Sequence, residues 1–270
     1  MTNDKITKNP EVLEAKEGDK KITKKPEAIQ IKEKGERVAK VIARSGYCSR
    51  REAEVLIFEG SVKVNGEVID NPAVLITDQS IKINNKLLPK KDETRMWIFH
   101  KPKGFICTNK DEKNRKTIFN ILPTDMPRVM SIGRLDINTE GLLLLTNDGE
   151  VSRYIELPKN QWIRNYRVRA HGKINLERLQ KLSKGIRIDG VTYGPIKVEL
   201  EKEGANSWLK ISLMEGKNRE IKKVLQYFGL EVNRLIRISF GPFILGSLAA
   251  GKVKEVPRIV LKESLGKILK

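Results

Sequence analysis

Leu142, Leu143, Leu144 and Leu145 follow one another without a polar break, between a Gly-bounded polar stretch, Gly133 to Gly141, and the dipeptide Asp148-Gly149. So short an apolar run predicts a buried strand, with the loop before it on a rigid support and an Asp-Gly turn closing it. Elsewhere the period decides the element. Met96-Trp97-Ile98-Phe99 and Trp208 to Met214 read as strands; Asn165 to Ala170 alternates, with Tyr166, Val168 and Ala170 on one face and Arg167 and Arg169 on the other. Ile236, Ile238 and Phe240 alternate with Arg237 and Ser239, which predicts one more strand. Helical spacing recurs in Leu176, Leu179 and Leu182 before Gly185, and in Ile221, Val224, Leu225 and Phe228 before Gly229. Strands mixed with helices, without regular βαβ repetition, predict an α+β domain around a mainly antiparallel mixed sheet.

A smaller unit precedes it. Val38, Val41 and Ile42 keep helical spacing up to Gly46, and Ser49 with Glu52 makes a capping box for a second helix carrying Ala53, Leu56 and Ile57 and ending at Gly60. Val62 to Ile69 reads as strand, Asn65-Gly66 turn and strand. The expected organisation is therefore a helix pair with a small sheet over 36–84, a charged linker with Pro89 over 85–94, a larger domain over 95–258 and a tail over 259–270. Residues 1–35 are rich in Lys and Glu and lack aromatic residues, a composition that predicts disorder. Within them Ile6-Thr7-Lys8-Asn9-Pro10-Glu11 recurs as Ile22-Thr23-Lys24-Lys25-Pro26-Glu27, and two copies are too few for a solenoid.

Charge changes the picture more than hydrophobicity does. The 270 residues hold 53 Lys and Arg against 34 Asp and Glu, a formal net charge of +19, which points to a polyanionic partner and first to nucleic acid. No apolar run approaches the ~20 residues that span a bilayer, and no apolar stretch follows the N-terminal Met1-Thr2-Asn3-Asp4-Lys5, so a cytoplasmic protein is expected. Cys48 and Cys107 are too few for a disulfide framework or a four-thiolate zinc site and are expected as free thiols. With His100 and His171 the only histidines, the inventory favours carboxylate and Arg/Lys chemistry without metal or cofactor. Without a heptad pattern a monomer is expected. Arg37, Lys40, Arg44, Arg50 and Arg51 cluster on the helix pair, where a solvated face and a phosphate-contacting face fit equally well.

The loop before the leucine run carries the most specific signal. Spacing alone favours Asp136 as a cap for the next element. However, Gly133-Arg134-Leu135-Asp136 followed by Asn138-Thr139-Glu140-Gly141-Leu142-Leu143-Leu144 resembles the signature of the RsuA-type pseudouridine synthases. His100-Lys101-Pro102-Lys103-Gly104, Tyr166-Arg167-Val168, Glu215 to Lys223 and Arg234-Leu235-Ile236-Arg237-Ile238 agree with that family in order. Arg44 to Ala53 and Gly60 to Gly66 are similar to the S4 RNA-binding module, and this turns the basic helix pair toward RNA. The resemblance spans about residues 36 to 257.

What the resemblance implies is concrete. Asp136 is the catalytic carboxylate, Lys222 the cation beside it and Tyr166 the platform for an extruded uracil. Arg134 helps displace the target nucleotide, and the substrate is ribosomal RNA, first the 23S RNA of the large subunit; independently of the resemblance, if the turn between Met214 and the Ile221 helix faces the Asp136 loop, Lys217, Arg219 and Lys222 supply charge near its carboxylate. Two rivals remain open: Asp136 and Glu140 as the carboxylate pair of a hydrolytic glycosidase, and a non-catalytic ribosome-associated RNA-binding protein. Free base released from RNA would mark the first, and RNA left unchanged the second.

Overall fold

The structure is a computed structural model and describes residues 35–109, 111–266, 268 and 269. The segment expected to be disordered, residues 1–35, lies outside the described residues except for Gly35.

The leucine run is the strand Glu140–Thr146, near the middle of a nine-stranded sheet. Its neighbours explain the unbroken apolarity. Leu143 and Leu145 pack on one side of the sheet with Phe99, Val168, Ile211 and Val224, while Leu142 and Leu144 pack on the other with Met96, Ile155, Phe240 and Leu261. With both faces covered, every position must be apolar. From one edge the sheet runs Ile196–Lys202, Asn206–Leu213, Arg164–His171, Glu231–Phe240, Glu140–Thr146, Met96–Lys101 and Val253–Glu255, with Met130–Ile132 and Phe243–Ile244 paired beside it.

All these pairings are antiparallel but one, so the sheet is mixed and mainly antiparallel as its pattern predicts. The exception joins its two halves: Glu231–Phe240 runs parallel to Glu140–Thr146 through Ile236 opposite Glu140 and Arg237 opposite Gly141. Gly141 has φ 102°, and a Cβ there would lie 2.3 Å from the Arg237 carbonyl oxygen. Only glycine admits this approach.

The small N-terminal unit has its own core of Val38, Ile42, Ala53, Ile57, Val62, Ile81 and Ile83. Helices Val38–Arg44 and Arg50–Phe58 form it, the second opened by the Ser49–Glu52 capping box, and the hairpin turns at Asn65-Gly66 with φ 50° and 95°. Four short strands, Glu67–Val68, Val62–Val64, Ile81–Ile83 and Lys86–Leu87, make its main sheet.

Two local expectations shift and a third gains detail. Lys86–Leu87, read as linker, pairs with Ile81–Ile83 and extends the small unit. The Asp148-Gly149 turn that closes the leucine strand leads into a helix: the Asp148 side chain accepts from the Glu150 amide and caps Gly149–Glu156. Residues from 259 onward, read as a tail, lie largely in the helix Arg258–Leu265, whose Leu261 and Leu265 are buried.

Candidate active site

The loop 133–139 connects Met130–Ile132 to Glu140–Thr146 and is braced along its backbone. Gly133 N–H donates to Glu156, Gly104 N–H donates to the Ile137 carbonyl, and the Leu135 amide and carbonyl both meet the Cys107 thiol. The Thr139 amide closes a turn on the Asp136 carbonyl. Beneath the loop lies Lys101, 0% exposed, whose Nζ donates to the carbonyls of Thr139 at 2.8 Å, Pro102 at 3.1 Å and Ile137 at 3.4 Å. Burial pulls this ammonium down to about 8, against the opposing pull of Cys107, Asp136 and Glu140. A loop fixed at so many points presents its one half-buried carboxylate, Asp136, in a set direction.

Lys222 approaches from the helix Glu220–Tyr227, its Nζ 3.9 Å from Asp136 Oδ2. That is inside the ~4–6 Å over which opposite charges favour each other's charged form. Burial lowers the Lys222 pKa, Asp136 opposes the shift, and Arg219 and Lys103 add to it. Tyr166, from the strand Arg164–His171, is 8% exposed and lines the same cavity of about 300 Å³ as Asp136, Arg134, Lys217 and Arg219. Arg219 opens the Lys222 helix in left-handed backbone, φ 53°. Lys217 is held in an ion pair with Glu215. No three His, Cys, Asp or Glu side chains stand together to hold a metal ion among the described residues.

The five basic residues of the helix pair belong to a different surface. Lys40 pairs with Glu36 at 2.5 Å and with Glu150 at 2.8 Å, and Arg44 pairs with Glu36 at 2.6 Å. Arg37, Arg50 and Arg51 are exposed. None of the five lines the Asp136 cavity.

Buried polar residues that the pattern did not single out complete that cavity. On Glu231–Phe240 the buried positions include Leu235, Arg237 and Ser239, while Ile236 and Ile238 are half-buried, so the charged set of the alternation faces inward. Arg237 Nε donates to the Leu142 carbonyl at 2.7 Å, and Arg164 Nη1 to that of Met214 at 2.5 Å; both guanidiniums lie over Phe240, at 5.1 and 4.3 Å. Glu220 is 4% exposed, and burial, reinforced by Glu215, pushes its carboxyl up to about 7. The signals for Arg237 were its place between apolar residues of the strand Leu235 to Phe240 and in the family block Arg234 to Ile238.

Glu140, by contrast, is gripped by Arg234 through two bonds of 3.0 and 2.9 Å. That guanidinium holds its carboxyl below the usual range. A glycosidase needs one carboxyl whose pKa is raised as its general acid, a role for which Glu140 is unsuited.

A mainly antiparallel mixed sheet thus carries an aspartate with a lysine against it, a buried tyrosine lining the aspartate's cavity, and a basic helix-pair module, and comparison with known proteins gives the class: an RNA-modifying enzyme. The chain belongs to the RNA pseudouridylate synthase family and is a pseudouridine synthase: that family's profile matches residues 95–227, and the S4 domain matches residues 36–81. It is 47% identical to an uncharacterized RNA pseudouridine synthase of Rickettsia felis over 84% of this chain and 99% of that one. It is 38% identical to the ribosomal large subunit pseudouridine synthase B of Buchnera aphidicola, over 84% of this chain and 92% of the other. The solved structure of a pseudouridylate synthase superposes with a TM-score of 0.61 at 27% identity, covering 84% of this chain and 98% of that chain. Among the described residues no helix is long and apolar enough to cross a membrane.

Proposed function

We propose that this enzyme converts a uridine of large-subunit ribosomal RNA, the 23S molecule, to pseudouridine, with Asp136 as the catalytic carboxylate. The Asp136–Lys222 contact at 3.9 Å, with Asp136 and Tyr166 lining one cavity, carries the reading. The relative of Buchnera aphidicola, named for the large ribosomal subunit, supports the choice of RNA. The reaction is an isomerisation: the C1′–N1 bond breaks, the uracil turns, C5 bonds to C1′, the C5 proton leaves and N1 gains one. A carboxylate that attacks, a cation beside it and an aromatic face for the extruded base meet these demands. Arg134, exposed at the cavity mouth, fills the space the nucleotide leaves. The S4 module adds affinity and placement through phosphates.

The test is a map of pseudouridine in ribosomal RNA from cells lacking the protein, then from the same cells given wild type or Asp136→Asn. One large-subunit uridine should lose its modification, regain it with wild type and stay unmodified with the folded, RNA-binding variant. Variant turnover within tenfold of wild type, ~1.4 kcal/mol of barrier, would remove Asp136 from the chemistry. A small-subunit site would overturn the choice of RNA.

A further inference from the structure

Among the described residues, two buried side-chain polar atoms lack a hydrogen-bond partner: Arg237 Nη2 and Glu220 Oε1. Both residues line the Asp136 cavity, at 3% and 4% exposure. Buried polar groups are paired in nearly all folded proteins because leaving one unpaired is costly. Two such atoms at one cavity mark a place where a ligand completes the bonding.

The rest of each side chain is tied down. Arg237 is held by its Nε on the Leu142 carbonyl and by its face over Phe240; Glu220 Oε2 accepts from the Lys217 amide at 2.9 Å. The unpartnered atoms are therefore presented in fixed positions. One is a donor and the other belongs to a carboxyl, so a single ligand that completes both must offer an acceptor and a donor together. A phosphodiester of RNA offers acceptors only and so cannot complete a carboxylate oxygen. The edge of uracil fits, because N3–H stands between two carbonyl oxygens.

We infer that Arg237 and Glu220 are specificity-determining residues that read the polar edge of the flipped uracil, Arg237 donating to a carbonyl oxygen and Glu220 accepting from N3–H. This rests on the reading that the cavity takes the target uridine. Cytosine has a lone pair at N3, so Glu220 faces an acceptor there and the pairing fails. In the sequence the two residues stand 17 positions apart, on different elements, and both line this cavity.

The test uses the full chain and uridine 5′-monophosphate, its 3-methyl derivative, cytidine 5′-monophosphate and ribose 5-phosphate, with binding measured by calorimetry. Uridine monophosphate should bind at least about tenfold tighter than the other three, the loss expected for one buried bond to a charged group. In Arg237→Met and Glu220→Met this preference should collapse while ribose 5-phosphate affinity stays unchanged. Ribose 5-phosphate binding as tightly as uridine monophosphate, or losing affinity with it in Arg237→Met, would overturn the inference and assign the guanidinium to phosphate. So would a variant that keeps the full preference. Should a variant fail to fold, the wild-type series alone decides. Conversion of ribosomal RNA by the same preparation is scored separately and judges the functional reading on its own.

Discussion

At Tyr166 one hydroxyl separates two roles that the buried ring could serve. Stacking of a base on an aromatic is worth ~1–3 kcal/mol, and Phe keeps the ring while Ala removes it. Tyr166→Phe should bind RNA as wild type does and Tyr166→Ala about tenfold more weakly or worse; equal binding by both would remove the stacking role. A Phe variant that binds but turns over slowly would place the hydroxyl in proton transfer. Glu220 makes a prediction of another kind. Its folded pKa of about 7 lies above the ordinary 4.5, so between those values the folded state binds more protons than the unfolded one. The stability this gives is complete below about pH 4.5 and is lost as pH rises through about 7. Wild type should therefore show a lower urea midpoint at pH 8 than at pH 5, and Glu220→Gln a smaller fall. An equal fall in both would mean that Glu220 is not the group responsible.

Among the elements, the junction between the two halves of the sheet concentrates most into one residue. Gly141→Ala places a Cβ against the Arg237 backbone in a conformation that L-residues avoid, and strain of this kind costs ~1–3 kcal/mol before the clash is added. Chemical denaturation should show a loss of roughly 3 kcal/mol or more; a loss below ~1 kcal/mol would mean that the two strands separate freely. This junction also shows what a sequence can and cannot disclose. The helices, the Asn65-Gly66 hairpin and the strand of leucines rest on local periods and turn residues, and these could be read directly. The parallel pairing of Glu231–Phe240 with Glu140–Thr146 joins residues about 95 apart, and nothing local announces it. For the same reason the inward side of Glu231–Phe240 was hidden. Apolar Ile236 and Ile238 suggest one buried face, yet Arg237 is the buried one because it bonds to the Leu142 carbonyl across that junction. Asp136, Tyr166 and Lys222 were singled out through motif resemblance; spacing alone would have left Asp136 a cap and Tyr166 a core aromatic.

Across the whole molecule, electrostatics ties the two RNA-facing parts together. Lys40 reaches from the first helix to Glu150 at the start of Gly149–Glu156, and Lys91 and Thr94 hold the capping Asp148 at 2.7 Å each. Burial works against that carboxylate, but these donors outweigh it and keep its pKa low. The basic residues of the S4 module thus divide: Lys40 and Arg44 are engaged with carboxylates, whereas Arg37, Arg50 and Arg51 stand exposed. Phosphate contacts should come from the exposed set. Each contact contributes ~0.7–0.9 to the slope of log affinity against log salt, so replacing all three by Gln should flatten the slope by roughly 2–3. Lys40→Gln removes two partly exposed ion pairs, with Glu36 and Glu150, each worth ~0–1 kcal/mol, and should leave the slope within about 1 of wild type. Both are read from RNA-binding titrations between ~50 and 200 mM salt on the full chain. If the triple variant keeps the wild-type slope, the helix pair does not contact phosphate; if Lys40→Gln flattens it as much, the ion pair with Glu150 opens on RNA and the clasp is itself part of the binding surface.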